Sequence, residues 1–348
     1  MKLNTRCIPY GALPYETIES ATRSIAKLFD KSPFIPFLPK LDSKDSIERR
    51  SLINIPGVCI SDDNTIVLKF DNSYEEKMKL LDKAYNNPTK ENLEEFGFEA
   101  PFLEKFLQMI KKFKSPHAFI NILGPFTISQ IIMNAAETQI VADKSYRKLY
   151  VQAVCVKALW LIDKISEYCK TTVPIVILEE PMLNKLGDLK RKNGNNTVDL
   201  ITNIFTKVID KIKSAGGIVC VQCFEKCDWH IPINAGADII SFDAYNNPNN
   251  MNIASDALYS YISCGGKINW GIVPVVSEAM LKTINLDYLK QRLCTTMDGL
   301  VMAGIPQKFV YNSALVSIQG NMDNMPLIFA EKAMLTAIQL SKAIPVIS

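Results

Sequence analysis

The sequence predicts an α/β protein built as one (β/α)8 TIM barrel, with an inserted hairpin and helices in its N-terminal third. Three observations carry this reading. From about residue 140, apolar runs of strand length alternate with helical patterns in five successive β-then-α units, which call for parallel strands and right-handed crossovers. Those runs are continuously apolar, as strands covered on both faces read. No Gly-rich phosphate loop follows the first candidate strand, which counts against a dinucleotide-binding fold. The chain reads as a single domain, 1–348, with an insertion around 45–115.

In chain order, "NTRCIPYGA" is a candidate first strand and "ETIESATRSIAKLF" the helix after it. "GVCISDDNTIVLKFD" (57–71) predicts a hairpin turning at Asp62-Asp63-Asn64, and "HAFINILGP" (117–125) a barrel-type strand. Apolar spacing of three and four over 141–170 predicts a long amphipathic helix. "VPIVILEEP" (173–181) is a buried strand stopped by two acids and a proline. The helix over 197–217 closes on a Gly pair suited to a left-handed cap. "GIVCVQCF" is the next strand, and "DWHIPINAG" a short helix capped by Asp228. "ADIISFDAY" (237–245) is a strand and "ASDALYSYISCGG" a helix. "KINWGIVP" is a strand, "NLDYLKQRLCTTMDGLVMAG" a helix, "KFVYNSA" a strand and "MPLIFAEKAMLTAIQLSKA" the closing helix.

With 48% hydrophobic and 22% charged residues, the composition is that of an ordinary globular protein. A net charge of +3, from basic residues scattered along the chain, does not suit a nucleic-acid partner. The longest apolar stretch (118–136) is interrupted by Asn121, Gly124, Pro125 and Gln130, so no membrane span is expected. The N-terminus lacks the apolar core of a signal peptide, and the cysteine count, nine, is odd. Reduced thiols in a cytoplasmic protein are therefore expected.

In barrels of this kind the site lies at the C-terminal ends of the strands. The strand-end residues here are Gly11, Glu179, Glu180, Cys223, Asp243, Trp270, Pro274 and Ser313. Acids at such positions are costly unless they coordinate something or accept hydrogen bonds. Glu180 and Asp243 are the candidate catalytic acids. Glu179, alternating to the other face, is expected to pair with an outer Lys or Arg. Trp229 and Trp270 are expected to flank the mouth, where an aromatic could stack on a planar substrate. Asp228 is foremost a helix cap, and "NNPNN" (246–250) an exposed loop beside the mouth. Within "VCVQCFEKCDWH", Cys220 lies on the opposite face from Cys223.

Several stretches, taken together and in order, resemble the catalytic barrel of cobalamin-independent methionine synthase, within the wider group that includes uroporphyrinogen decarboxylase. They are "YGALPY" (10–15), "FIPFLPKL" (34–41), "LGPFTIS" (123–129), "LEEPML" (178–183), "AGADIISFDAY" and "NWGIVP". The resemblance implies methyl transfer to or from a thiol or thioether, with a folate or a corrinoid on a carrier protein as donor. Tyr15 stands where the family has His, and with Gly11 and the mouth residues Asp228, Trp229 and Trp270 it makes up the candidate substrate contacts. The resemblance also implies zinc, which lowers a thiol pKa so that thiolate forms at neutral pH. Carried over residue by residue, the family's ligands match Cys223 and Asp243, whereas its His falls on Val221 or Gln222 and its late Cys on Ala314. Cys227 is the residue best placed to make a third ligand. Two further readings follow from the missing ligands: a metal-free, uroporphyrinogen-decarboxylase-like enzyme, and an inactive barrel retained as a ligand-binding module.

Overall fold

The computed structural model describes residues 3–136, 144–193, 196–251, 255–275 and 285–347. The expected helix over 141–170 is described from Lys144 and the one beginning at Ala254 from Ser255; the residues before them lie outside the described part. Helix α1 (Ile18–Leu28) is capped by Thr17, whose side chain accepts from the Ser20 N–H. Next come α2 (Ile47–Leu52) and a hairpin of β1 (Val58–Ile60) and β2 (Ile66–Leu68), with Asn64 in the left-handed region of its turn. Then follow α3 (Tyr74–Asn86), α4 (Lys90–Glu94), α5 (Leu103–Phe113), β3 (His117–Leu123), α6 (Pro125–Ala136) and α7 (Lys144–Tyr168). The remainder is β4 (Val173–Glu179), α8 (Leu186–Asn193), α9 (Asn196–Ser214), β5 (Ile218–Gln222), α10 (His230–Asn234), β6 (Ile239–Phe242) and α11 (Ser255–Ser263). The chain ends with β7 (Lys267–Val273), α12 (Leu286–Met302), α13 (Gln307–Ser313), β8 (Ala314–Ile318) and α14 (Leu327–Ala343).

The closed eight-stranded barrel expected from the sequence is not the architecture. Strands β3 to β8 form a six-stranded parallel half-barrel in sequential order, and β1–β2 form a separate antiparallel pair. The N-terminal segment expected as the first strand, and the proline-bearing segment that follows it, make only isolated parallel bridges: Cys7 with Val316, Ala12 with Phe37, and Phe34 with Phe119. The cause is in the sequence. Pro9 and Pro14 punctuate the first segment and Pro33 and Pro36 the second, and a proline cannot donate to a ladder. Gly11 interrupts the first segment as well. Its φ is +99°, and a Cβ there would lie 2.9 Å from Asn321 Oδ1, which accepts the Ala12 N–H.

"KFVYNSA" is also corrected. Residues Gln307–Ser313 are the helix α13, entered from Pro306, and the strand begins at Ala314. Its β-branched and aromatic side chains read as strand, but Val310 and Tyr311 are buried, and the Tyr311 hydroxyl donates to Asp298 Oδ1 of α12 at 2.8 Å. Here tertiary packing overrides propensity.

Helix α7 is not amphipathic along its length: residues 149–162 are all buried, Gln152 and Lys157 included. The inserted segment covers the side that would otherwise face solvent. Lys157 Nζ donates to the carbonyls of Ile53 (2.5 Å) and Phe96 (2.6 Å), tying the insertion to α7, and burial lowers its pKa to about 7. The insertion is fastened to the sheet through α2. Leu123 N–H donates to Ser51 Oγ, and the buried Arg50 guanidinium clamps Asp45 through Nε (2.6 Å) and Nη2 (2.7 Å). Asp45 Oδ2 also accepts the Leu38 N–H, and Arg50 stacks over Phe37 at 4.3 Å. Breaking one side of a buried pair strands the other charge. Asp45→Ala is therefore expected to cost about 3–5 kcal/mol in urea unfolding; a loss below about 1 kcal/mol, the scale of a surface pair, would contradict this role.

Candidate functional site

Apart from His117 and Lys267 at the starts of β3 and β7, each strand from β3 to β8 carries one polar side chain within an apolar run: Asn121, Glu179, Gln222, Ser241, Asn269 and Ser317, all buried. Register brings four of them side by side. Glu179 pairs with Gln222, Gln222 with Ser241, and Ser241 with Asn269. Neighbours in a parallel ladder share a face, so these side chains form a polar belt near the C-terminal ends of the strands. Asn121 and Ser317 extend it by direct bonds. Asn121 Nδ2 donates to Glu179 Oε1 (2.7 Å), and Asn269 Nδ2 reaches Ser241 Oγ and Ser317 Oγ, each at 2.8 Å.

Tyr10, from the N-terminal segment, completes the belt. Its hydroxyl lies among Glu179, Gln222 and Asp243, and its ring packs on Phe224 with centroids 5.7 Å apart. Burial, reinforced by the Glu179 and Asp243 carboxylates, holds Tyr10 well above the ordinary tyrosine range, so it stays a neutral O–H donor. Tyr10 Oη, Asn121 Oδ1 and Asn269 Oδ1 are buried and make no hydrogen bond of good geometry within the chain. Buried polar atoms are rarely left so. All three belong to the belt, where the Tyr10 hydroxyl stands beside the Gln222 side chain.

Glu179 is the belt's only carboxyl. Burial lifts it to about 7, with the Asn121 bond opposing and Glu48 of α2 adding to the rise. The expectation that Glu179 turns outward to a cation is thus corrected, since its partner is Asn121 on the inner face. Glu180 is the acid that turns away. Its Oε1 accepts the Phe126 N–H (2.9 Å), and its Oε2 accepts the Thr127 N–H (2.7 Å) and hydroxyl (2.6 Å). It caps the first turn of α6, which accounts for Gly124: a Cβ there would overlap the Glu180 carboxylate. Burial raises Glu180 to about 7 as well, against the pull of these donors.

Asp243 stands at the end of β6 with both oxygens engaged. Oδ1 accepts the Asn246 N–H (2.9 Å); Oδ2 accepts Asn246 Nδ2 (2.8 Å) and Gln319 Nε2 (3.0 Å). The asparagine run is a set of staples rather than a free loop, for Asn247 and Asn250 donate to the carbonyls of Phe224 and Glu225, each at 3.2 Å. Cys223 is buried beyond β5, with its thiol donating to the Glu225 carbonyl at 3.4 Å. Cys227, also buried, neighbours Cys223, and burial first, then that thiol, raises its pKa. Among the described residues, no group of three His, Cys, Asp or Glu comes together as a metal site. The Cys223, Cys227 and Asp243 set therefore does not fit the zinc that the resemblance implies. Ala314, the position of the expected late cysteine, opens β8 at the opposite end of the sheet.

The other expected contacts are elsewhere. Trp270 pairs with Phe242, on the face opposite Ser241 and Asn269, and packs on it edge-on at 5.1 Å; Trp229 joins the same row at 6.3 Å. Both indoles are buried packing groups, not rims of the mouth. Tyr15 donates to Glu331 of α14 (3.0 Å), and Gly11 serves the backbone turn described above. The N-cap of α10 is Trp229 rather than the expected Asp228, which stands one residue earlier; Asp228 accepts the His230 N–H (3.1 Å) and holds the His230 ring (2.8 Å), whose other nitrogen meets Asp256 (3.0 Å). Sequence reasoning missed Tyr10, Asn121, Gln222, Asn269 and Gln319. The signal was one polar residue per apolar strand, aligned once register is known.

No protein-family model matches the chain, and no curated protein is significantly similar to it. No helix among the described residues is long and apolar enough to cross a membrane.

The raised Glu179 pKa has a definite consequence. Below pH 4.5 the carboxyl is protonated folded or unfolded. Between 4.5 and about 7 the unfolded chain ionises while the folded chain keeps its proton, so stability falls as pH rises. Glu179→Gln, which can still accept from Asn121, removes this loss. Its advantage over the wild type in urea unfolding should open between pH 4.5 and 7 and reach about 3 kcal/mol. A difference that does not vary with pH would contradict the raised pKa.

Proposed function

We propose that the chain is an enzyme performing acid–base chemistry on a small polar molecule bound at the C-terminal ends of the strands. Glu179 is the proton-transfer group and Tyr10 the neutral donor beside it. The observation that carries this is a buried carboxyl lifted towards neutrality among three unpartnered buried polar atoms on one face. A group poised near pH 7 serves as acid or base with little energetic penalty.

Methyl transfer fits this site in one form. With the zinc donor set incomplete, activation of a thiol falls to Glu179. An ordinary carboxylate near 4.3 would take a proton from a thiol near 8.5 at a cost of about 6 kcal/mol; at about 7 the cost falls to about 2 kcal/mol. The methyl donor in this reading is a folate or a corrinoid on a carrier protein. A tetrapyrrole decarboxylase reading is less well supported, because the belt offers one acid, amides and hydroxyls where substrate carboxylates would need cations.

The test assays the purified full chain for methylation of a panel of small aliphatic thiols, with methyltetrahydrofolate or methylcobalamin as donor. Thiol binding is followed in parallel by calorimetry. The rate should rise with pH to a plateau with a midpoint near 7, drop at least about 100-fold in Glu179→Gln, and drop less in Tyr10→Phe. Turnover unchanged in Glu179→Gln would refute the acid–base role, and thiol binding without turnover would favour a binding module.

A further inference from the structure

The position at which the resembled family holds its metal is occupied here by a hydrogen-bonded clasp between strand ends. Asp243 receives three donors, and the one from Gln319 crosses from β8 to β6 over the intervening β7. The same Gln319 amide accepts the Val275 N–H through Oε1 (3.2 Å), and its own N–H donates to the Val273 carbonyl (2.8 Å). One side chain thus joins the ends of three consecutive strands. One level below, Asn269 repeats the pattern, linking Ser241 of β6 and Ser317 of β8 from β7 between them. Gly271 permits the close approach. Its carbonyl accepts both the Ala244 and Tyr245 N–H groups at 3.1 Å, and a Cβ there would stand 2.8 Å from the Phe242 carbonyl oxygen.

From this geometry we infer that Asp243 and Gln319 form a metal-independent clasp, doing by hydrogen bonds the joining of strand ends that a shared zinc ion would otherwise do. The chemistry of the groups supports it. Both Asp243 oxygens already accept N–H donors, three in all, so an ion there would compete with the clasp for the carboxylate. An amide nitrogen at Gln319 supplies a proton, not a lone pair. The one thiol matched to the family, Cys223, is turned to a backbone carbonyl in its own loop.

The full chain, purified without chelator and then dialysed against zinc chloride, decides the matter by metal analysis and thermal unfolding. The clasp predicts well under one-tenth of a zinc per chain, no melting shift with zinc or chelator, and a lowered melting temperature in Asp243→Asn. Gln319→Glu is the sharper variant, because it should fold even where Asp243→Asn does not. On the clasp reading it sets two carboxylates together, so it melts lower than the wild type at pH 8 and regains the difference as the pH falls towards 5. On a metal reading it adds a ligand and raises zinc content. Near-stoichiometric zinc that is lost in Cys223→Ser or increased in Gln319→Glu would overturn the inference. Either result leaves the Glu179 assay above free to succeed or fail by itself.

Discussion

Parallel register is the constraint on which the site depends. Because Glu179, Gln222, Ser241 and Asn269 are successive partners across β4 to β7, four polar side chains share one level of one face. A shift of one residue in any strand would exchange a belt residue for the neighbour behind it, putting Leu178, Val221, Ile240 or Trp270 inside. The amide would then be buried among apolar helices without a partner. The penalty for an unpaired buried polar group, about 1–3 kcal/mol each, therefore enforces the register that creates the belt. Structure and site are held by the same alignment.

Much of the α/β order was legible because continuous apolar runs report burial on both faces. Strands β3 to β7 and the hairpin lie where those runs lie. The failures have identifiable physical causes. Prolines at 9, 14, 33 and 36 leave extended backbone but remove donors, so the N-terminal segments look like strands and bridge only singly. Residues 307–313 carry strand-like side chains, yet pack as a helix against α12. Helix α7 is buried on all sides only because a segment remote in sequence covers it, and no local pattern announces that.

The two acids at the end of β4 show where local reading stops. Glu179 and Glu180 are adjacent and both buried, and each lies at a carboxyl end where function is expected. Alternation says that one faces in and one out, but not which. That choice is made by Gly124 and the first turn of α6, whose free N–H groups draw Glu180 away from the belt. A helix N-terminus needs acceptors, and the nearer acid supplies them. Glu179 is then left with a single amide partner and a carboxyl that burial brings close to neutrality.

The resulting division of labour accounts for the odd mixture at the mouth. Residues that look catalytic by type, Glu180, Asp243 and Asp228, are acceptors for backbone or amide donors and hold α6, the strand ends and α10 in place. Residues that look structural by type, Tyr10, Asn121 and Asn269, retain unpartnered polar atoms facing the belt. The oxygens of Glu180 and Asp243 are taken up by donors that fix the surrounding backbone and strand ends, whereas Glu179 meets the single amide of Asn121. The proposed proton-transfer role therefore falls on the acid with the single side-chain partner, while the better-bonded acids hold the elements around it.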